Sequence, residues 1–164
     1  IHSNLGSALK ALGQFDAAAA CFRRALEIKP EFAEAHSNHG LALQALGQLE
    51  RAEWSYRRAL EIKPEFAEAY RNLGVFLTQI GQVNEAVESF RRALEIQPDF
   101  AEEHSNLGAA LTDLGQFDEA LACTRRALEF KPDYHVAHSN LLFIHNYLGD
   151  QPASLMLADA RRFG

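Results

Sequence analysis

Residues 11–30 read ALGQFDAAAACFRRALEIKP, and residues 45–64 read ALGQLERAEWSYRRALEIKP. The same wording returns twice more with substitutions. Each copy ends at a proline that lies 34 residues after the previous one: Pro30, Pro64, Pro98 and Pro132. A 34-residue period is typical of a solenoid built from helix-turn-helix units. The sequence therefore predicts an all-α fold in which each unit contributes two helices.

Glycine and proline mark the ends of the predicted helices. A glycine that can take the left-handed conformation follows each first helix: Gly13, Gly47, Gly81 and Gly115. A proline ends each second helix, because it forces the residue before it out of the helical region. These signals predict helices at about residues 1–12, 15–28, 33–46, 49–62, 67–80, 83–96, 101–114, 117–130, 135–148 and 152–162.

Side chains near the start of the second helices are expected to cap them. Asp16, Asn84 and Asp118 can accept hydrogen bonds from free backbone amides at a helix N-terminus, whereas Glu50 is a weaker candidate. We therefore expect these three residues to be N-caps.

The period divides the chain into five units, at 1–32, 33–66, 67–100, 101–134 and 135–164. The fifth unit diverges, since Leu142 replaces the helical glycine and Gln151-Pro152 replaces the usual turn. Terminal repeats are expected to be atypical, so this unit is interpreted as a capping or exit segment. Ile1 falls at the third position of a unit, and the chain is therefore expected to be a window from a longer array.

Charge and composition exclude several classes of function. The chain has 16 basic and 22 acidic residues, a net charge of −6, and no clustered basic surface that nucleic-acid binding would need. It contains neither an 18-residue apolar run for a membrane span nor the basic and apolar start of a signal peptide. A cytoplasmic protein is the expectation. Cys21 and Cys123 occupy one register three repeats apart and are expected to be free thiols.

An asparagine recurs once in every unit, on the first helix: Asn4, Asn38, Asn72, Asn106 and Asn140. First helices usually line the inner surface of such a stack, where ligands are held. An asparagine amide can pair with both the N–H and the C=O of a peptide backbone. Stacked helices lie ~10 Å apart and an extended peptide advances about 3.3 Å per residue, so one asparagine can serve about every third ligand residue. The alternative is that each asparagine bonds a neighbouring carbonyl and ties repeat to repeat.

The glycine, alanine and proline positions resemble those of the tetratricopeptide repeat family. This resemblance implies a right-handed superhelix that acts as a protein-binding scaffold. Two further features, the Ala-His-Ser-Asn-Leu-Gly wording with its asparagines and the tail from Asn146 to Gly164, are similar to the repeat region of Spindly-type O-linked N-acetylglucosaminyltransferases. That resemblance implies that the asparagines grip the backbone of protein substrates and that a sugar-transferring domain follows. No such domain is present in these residues, and the chain itself is not expected to be an enzyme.

The family's carboxylate clamp, which holds acidic peptide termini with basic residues, is not expected here. Among the residues that precede the five recurring asparagines, only Arg71 is basic. It is retained as an additional contact with the peptide. Glu34, Glu68 and Glu102 occupy places where the clamp needs basic groups.

The recurring histidines, the arginine doublets and the single tryptophan are assigned structural roles. The pairs His36/His39 and His135/His138 have metal-ligand spacing but lack a third ligand, so packing between helices is expected and no metal or cofactor is predicted. The four arginine doublets are interpreted as a solvated face, with each first arginine pairing with a glutamate four residues later. Trp54 stands where other units carry alanine or glutamate, and is expected to lie outward over arginine stems, or to support a homodimer or partner contact.

The function predicted from these residues is a scaffold that binds an extended peptide or protein segment through the asparagine series. One alternative is the substrate-recognition arm of a larger glycosyltransferase. The other is an architectural or homo-oligomerisation module.

Overall fold

A computed structural model describes residues 2–148 of the 164-residue chain. Within these residues the chain forms nine helices and no strand: α1 (His2–Ala11), α2 (Phe15–Ile28), α3 (Ala33–Ala45), α4 (Leu49–Ile62), α5 (Ala67–Gln79), α6 (Val83–Ile96), α7 (Ala101–Asp113), α8 (Phe117–Phe130) and α9 (His135–Leu148). Each helix begins and ends within one residue of its predicted bounds. The tenth predicted helix, at 152–162, and most of the tail lie outside the described residues.

Contacts between residues divide the chain into two compact units, residues 1–76 and 77–164. In the first unit, α1 packs against α2, α2 against α3 and α3 against α4, and α1 also contacts α3. In the second unit, α6 packs against α7, α7 against α8 and α8 against α9, and α7 also contacts α9. The all-α solenoid class predicted from the sequence is confirmed.

The turn between the two helices of a pair depends on a glycine with positive φ. At Gly13 φ is +72°, and Gly47, Gly81 and Gly115 have values between +71° and +79°. The Gly13 N–H donates to the Lys10 carbonyl at 3.0 Å, and the Gln14 N–H donates to the Leu9 carbonyl at 2.9 Å. This pair of bonds is the Schellman motif, which satisfies the last carbonyls of α1.

The predicted N-caps are wrong. The capping positions belong to glutamines (Gln14, Gln48, Gln82 and Gln116), and none of them makes a side-chain cap hydrogen bond. The turn is so short that one glutamine serves both helices. The Gln14 N–H bonds the Leu9 carbonyl of the first helix, and Gln14 is also the N-cap of the second. Asp16, Asn84 and Asp118 consequently lie two residues beyond the N-cap, as the second residues of α2, α6 and α8. There the two aspartates favour the helix dipole instead.

Small residues bring the paired helices into close contact. Gly40 on α3 faces the ring of Tyr56 on α4, and a Cβ built at Gly40 would lie 2.7 Å from that ring. Tyr56 is fully buried, and its hydroxyl donates to Gln44 Oε1 at 2.6 Å. Ala52 and Ala59 are also fully buried on α4. The core between α3 and α4 is thus an aromatic side chain packed against a glycine and alanine surface.

Candidate functional site

The five series asparagines differ in how far they reach solvent. Asn4 is exposed, and Asn38, Asn106 and Asn140 are half-buried. Asn72 is buried, with 7% of its surface exposed. Although the five share one sequence register, they are therefore not equivalent in the folded chain.

Two of the asparagines tie neighbouring first helices together. The Asn72 side-chain amide donates to Ser37 Oγ at 3.2 Å, joining α5 to α3. In the second unit the Asn140 amide lies 3.3 Å from Ser105 Oγ and 3.5 Å from the Ser105 carbonyl, joining α9 to α7. In both cases the acceptor is the serine that precedes the asparagine of the previous repeat. A hydrogen bond between repeats was the alternative role that the sequence allowed for the asparagines. Asn72 and Asn140 make such bonds.

Asn38 has a different environment. Its amide nitrogen donates to the Glu34 carbonyl one turn earlier on α3, at 2.9 Å. Its Oδ1 accepts a hydrogen bond from Lys10 Nζ on α1, at 2.5 Å. The long Lys10 side chain thus lies across from one first helix to the next.

Charged side chains from two first helices, α1 and α5, interact in this part of the first unit. Burial lowers the pKa of Lys10, the Glu68 carboxylate raises it and the Arg71 guanidinium lowers it further. Arg71 is half-buried and lies 3.8 Å from Glu68. We refer to the side of α1, α3 and α5 that carries Asn4, Lys10, Asn38, Arg71 and Asn72 as the first-helix face of the first unit. Lys10 is a contributor that the sequence analysis missed, because its neighbours come from other repeats.

The recurring histidines close the loops between repeats. His36, His104 and His138 each place Nε2 at 2.7 to 2.8 Å from the carbonyl of the proline six residues earlier. A carbonyl only accepts, so each Nε2 carries the hydrogen. Burial lowers the pKa of His36 and of His104, which favours the neutral form of both rings. The expectation of inter-helix packing holds, and the hydrogen bond to the proline carbonyl is an addition to it.

The arginine doublets form ion pairs, and the second arginine takes part as well as the first. The second arginine of each doublet pairs with a glutamate three residues later: Arg24 with Glu27, Arg58 with Glu61, Arg92 with Glu95 and Arg126 with Glu129. Both spacings bring side chains together on a helix. Two of the first arginines pair with other glutamates. Arg57 pairs with Glu53, four residues earlier, at 2.9 Å, and Arg91 pairs with Glu119 on α8 at 2.8 Å.

Trp54 lies outward on α4, with 60% of its surface exposed. Its indole edge meets the His36 ring at 5.7 Å between centroids, with the ring planes at 68°. The predicted exposure is confirmed. The indole therefore contacts an imidazole ring from the preceding helix, where the sequence predicted arginine stems.

Within residues 2–148 no group of three His, Cys, Asp or Glu side chains is placed to hold a metal ion. No helix of the same residues is long and apolar enough to cross a membrane. Cys21 and Cys123 are free thiols, and burial raises the pKa of Cys123 to about 11.

Three family models match the chain in consecutive stretches. A model described as TPR repeat matches residues 6–47, and two models described as tetratricopeptide repeat match residues 37–101 and 101–134. No curated protein matched the chain.

Solved structures of repeat proteins share the fold. One is a crystal structure of YrrB, described as a TPR protein with an unusual peptide-binding site. It is 24% identical over 99% of this chain and 84% of that one, with a TM-score of 0.80. A crystal structure of MamA is 22% identical over 88% of this chain and 84% of that one, with a TM-score of 0.81. MamA from Desulfovibrio magneticus RS-1 is 21% identical over 91% and 84%, with a TM-score of 0.83. At these identities the likeness shows the fold alone.

Proposed function

Because this chain is built from tetratricopeptide repeats over residues 6–134, we propose that it is a scaffold that binds an extended peptide or protein segment along its first helices. Repeats of this kind generally mediate protein–protein interaction and have no catalytic machinery of their own. The description of YrrB as a peptide-binding TPR protein supports the same class of ligand.

The observation that carries the proposal is the polar first-helix face of the first unit. Asn38 is half-buried and remains within reach of a ligand, while Lys10 fixes the orientation of its amide by bonding Oδ1. A fixed amide loses little entropy on binding, so it is well suited to hold a peptide backbone. Arg71 adds a cation on the same face, where an acidic side chain or a carbonyl of the peptide can pair with it.

The asparagine series divides into two roles under this proposal. Asn4, Asn38 and Asn106 contact the ligand. Asn72 is buried, and its tie to Ser37 holds α5 against α3, so it acts on the ligand by positioning the helices. Asn140 combines the roles, because it is half-buried and also bonded to Ser105.

Substitution at the more accessible asparagines tests the proposal. Unstructured 12-residue peptides are first selected on the wild-type chain from a displayed library, and their affinities are then measured by calorimetry. We expect Asn38→Ala together with Asn106→Ala to weaken binding about tenfold without loss of helicity by circular dichroism. The matched control is Asn84→Ala, since Asn84 is an exposed asparagine on a second helix. Equal affinity of the double variant and the wild type would overturn the role of the asparagines.

A narrower form of the proposal makes this chain the substrate-recognition arm of a larger O-GlcNAc transferase-like protein. It rests on the asparagine series and on the tail wording near Asn146. The reading frame after Gly164 tests it: a nucleotide-sugar transferase domain supports the arm, and a different domain contradicts it.

The remaining alternative is an architectural module that forms a homodimer through Trp54. Exposure of 60% of this large side chain is the observation that favours it. Sedimentation of Trp54→Ala beside the wild type decides, because an unchanged mass at all concentrations removes the dimer.

A further inference from the structure

A cavity of about 630 Å³ lies between the second helices α2 and α4 of the first unit, away from the asparagine series. Its apolar lining includes Leu26, Pro30 and the exposed indole of Trp54. His36 and His39 on α3 contribute buried rings to the lining. A volume of this size lies within the range of ligand-binding clefts.

Two cations at one corner of this cavity, Arg23 and Arg51, have no carboxylate partner among the described residues. Arg23 lines the cavity, and Arg51 lies near enough to His39 that both guanidinium groups lower the pKa of that imidazole, although burial is the larger cause. Among residues 2–148 no carboxylate oxygen lies within 4.0 Å of Arg23 or Arg51. Arg51 instead donates to the neutral Gln48 side chain.

In the second unit, the arginine at the position of Arg23 has acidic partners. There Arg91, the counterpart of Arg23, pairs with Glu88 at 2.9 Å and with Glu119 at 2.8 and 3.1 Å. In the 34-residue register, the position of Glu88 is Ala20 in the first repeat and the position of Glu119 is Arg51 in the second. The first unit has therefore lost two acidic partners and gained a second cation.

The carboxylates that do line the cavity are already engaged. Glu27 pairs with Arg24 at 2.6 Å, and Glu61 pairs with Arg58 at 2.9 Å. Arg58 also pairs with Glu31 at 2.7 Å. An anion entering beside Arg23 thus meets two cations that have no carboxylate partner within residues 2–148, while the nearby acidic groups are paired with Arg24 and Arg58.

The aromatic wall is likewise particular to this cavity. The counterpart of Trp54 is Glu88 in the third repeat and Ala122 in the fourth. In the second unit Phe130 instead stacks on His104 at 5.7 Å. An exposed indole beside two cations provides a platform for an apolar or aromatic side chain next to a carboxylate.

We propose that the cavity between α2 and α4 is a second binding site, for an acidic peptide segment in which an apolar side chain precedes an aspartate or glutamate. The apolar side chain packs between Trp54 and Leu26. The carboxylate pairs with Arg23 and Arg51, as the Glu119 carboxylate pairs with Arg91 in the second unit. This site is distinct from the first-helix face and does not depend on the asparagines.

The fluorescence of Trp54, the single tryptophan of the sequence, reports directly on the site. The probe is acetyl-Gly-Leu-Phe-Asp-Asp-Gly-amide, titrated into the full chain. We expect a saturable change in Trp54 emission, and at least about tenfold weaker binding of the analogue with Asn in place of both Asp residues. Equal binding of the two peptides would overturn the proposal, as would an emission that does not change.

Substitution of the charged residues tests whether Arg23 and Arg51 bind the carboxylate of the peptide. Arg23→Gln is expected to weaken binding about tenfold. Arg51→Glu, which introduces the acidic residue found at 119, should pair with Arg23 and abolish binding. Arg57→Gln is the matched control, because Arg57 has the register of Arg23 but pairs with Glu53. Unchanged affinity in Arg23→Gln and Arg51→Glu would contradict the assignment.

Two further outcomes would assign the cavity to a different occupant. Binding of inorganic phosphate or phenylpropionate as tightly as the hexapeptide would overturn the peptide as ligand in favour of a small anion. Emission that changes with protein concentration alone, together with a doubled mass in sedimentation, would assign the cavity to a second copy of the chain.

Discussion

The Asn72 side-chain amide donates to Ser37 Oγ at 3.2 Å, and both residues are buried. They lie 35 residues apart, one repeat plus one position, so the bond joins the first helices of successive repeats. In this relationship the repeated sequence itself provides both the donor and the acceptor.

Loss of this tie should lower stability. We expect Asn72→Ala to reduce the free energy of unfolding by about 1–2 kcal/mol, because it leaves a buried hydroxyl without its partner. Urea denaturation measures the change. Combining it with Ser37→Ala in a double-mutant cycle should give a coupling energy near 1 kcal/mol. A coupling energy of zero would show that the bond contributes nothing.

The contact between Gly40 and Tyr56 should not tolerate a methyl group. A Cβ at Gly40 would lie 2.7 Å from the Tyr56 ring, which is fully buried and cannot move outward. We expect Gly40→Ala to destabilise the chain by about 1–3 kcal/mol. Adding Tyr56→Leu to this variant should remove the clash, so that Gly40→Ala costs less in that background than in the wild type. An equal cost in both backgrounds would contradict the steric explanation.

Buried histidine should make stability depend on pH. Burial lowers the pKa of His39 from 6.5 to about 4. The unfolded chain therefore binds a proton below pH 6.5 that the folded chain refuses until about pH 4. Stability is complete above pH 6.5, is lost as the pH falls through this window, and declines by up to about 3 kcal/mol from this group.

His39→Leu isolates this effect from that of the carboxylates. Leucine is the natural residue at the same register in the later repeats, at Leu73, Leu107 and Leu141. Urea unfolding between pH 7.5 and pH 4 should show a flatter decline in the variant. Identical pH profiles would show that His39 is not the titrating group.

Cys123 should react slowly in the folded chain. Its pKa is raised to about 11, chiefly by burial and also by the Glu119 carboxylate. The thiolate is the reactive species, so its population at pH 8 is about 100-fold lower than for a thiol of pKa near 9. Labelling by iodoacetamide, followed by mass spectrometry, should be at least about tenfold faster in urea than in buffer. The same rate in both would contradict the burial.

Local signals in the sequence were sufficient for the helices. Glycine with positive φ at Gly13 and a proline at Pro30 act on their immediate neighbours, so the helix bounds could be predicted to within one residue. The N-caps could not, because Gln14 closes one helix and begins the next. That double role depends on the length of the folded turn, which residue preference alone does not give.

Contacts between repeats were harder to predict. The asparagine register was visible, but whether Asn72 or Asn38 faces a ligand depends on burial by neighbouring helices. Lys10 was overlooked, since its bond to Asn38 spans 28 residues. That Arg23 has no acidic partner within residues 2–148 is also visible only beside the Arg91–Glu119 pair, which spans two helices.

Peptide binding by the first helices is the central claim, and amide chemical-shift mapping tests it most directly. A display-selected 12-residue peptide is titrated into the ¹⁵N-labelled chain, and the shifted amides are assigned to helices. We predict that the largest shifts fall on α1, α3, α5 and α7, and that the side-chain amide of Asn38 shifts with them. Shifts confined to α2, α4, α6 and α8, with the Asn38 amide unmoved, would contradict the claim.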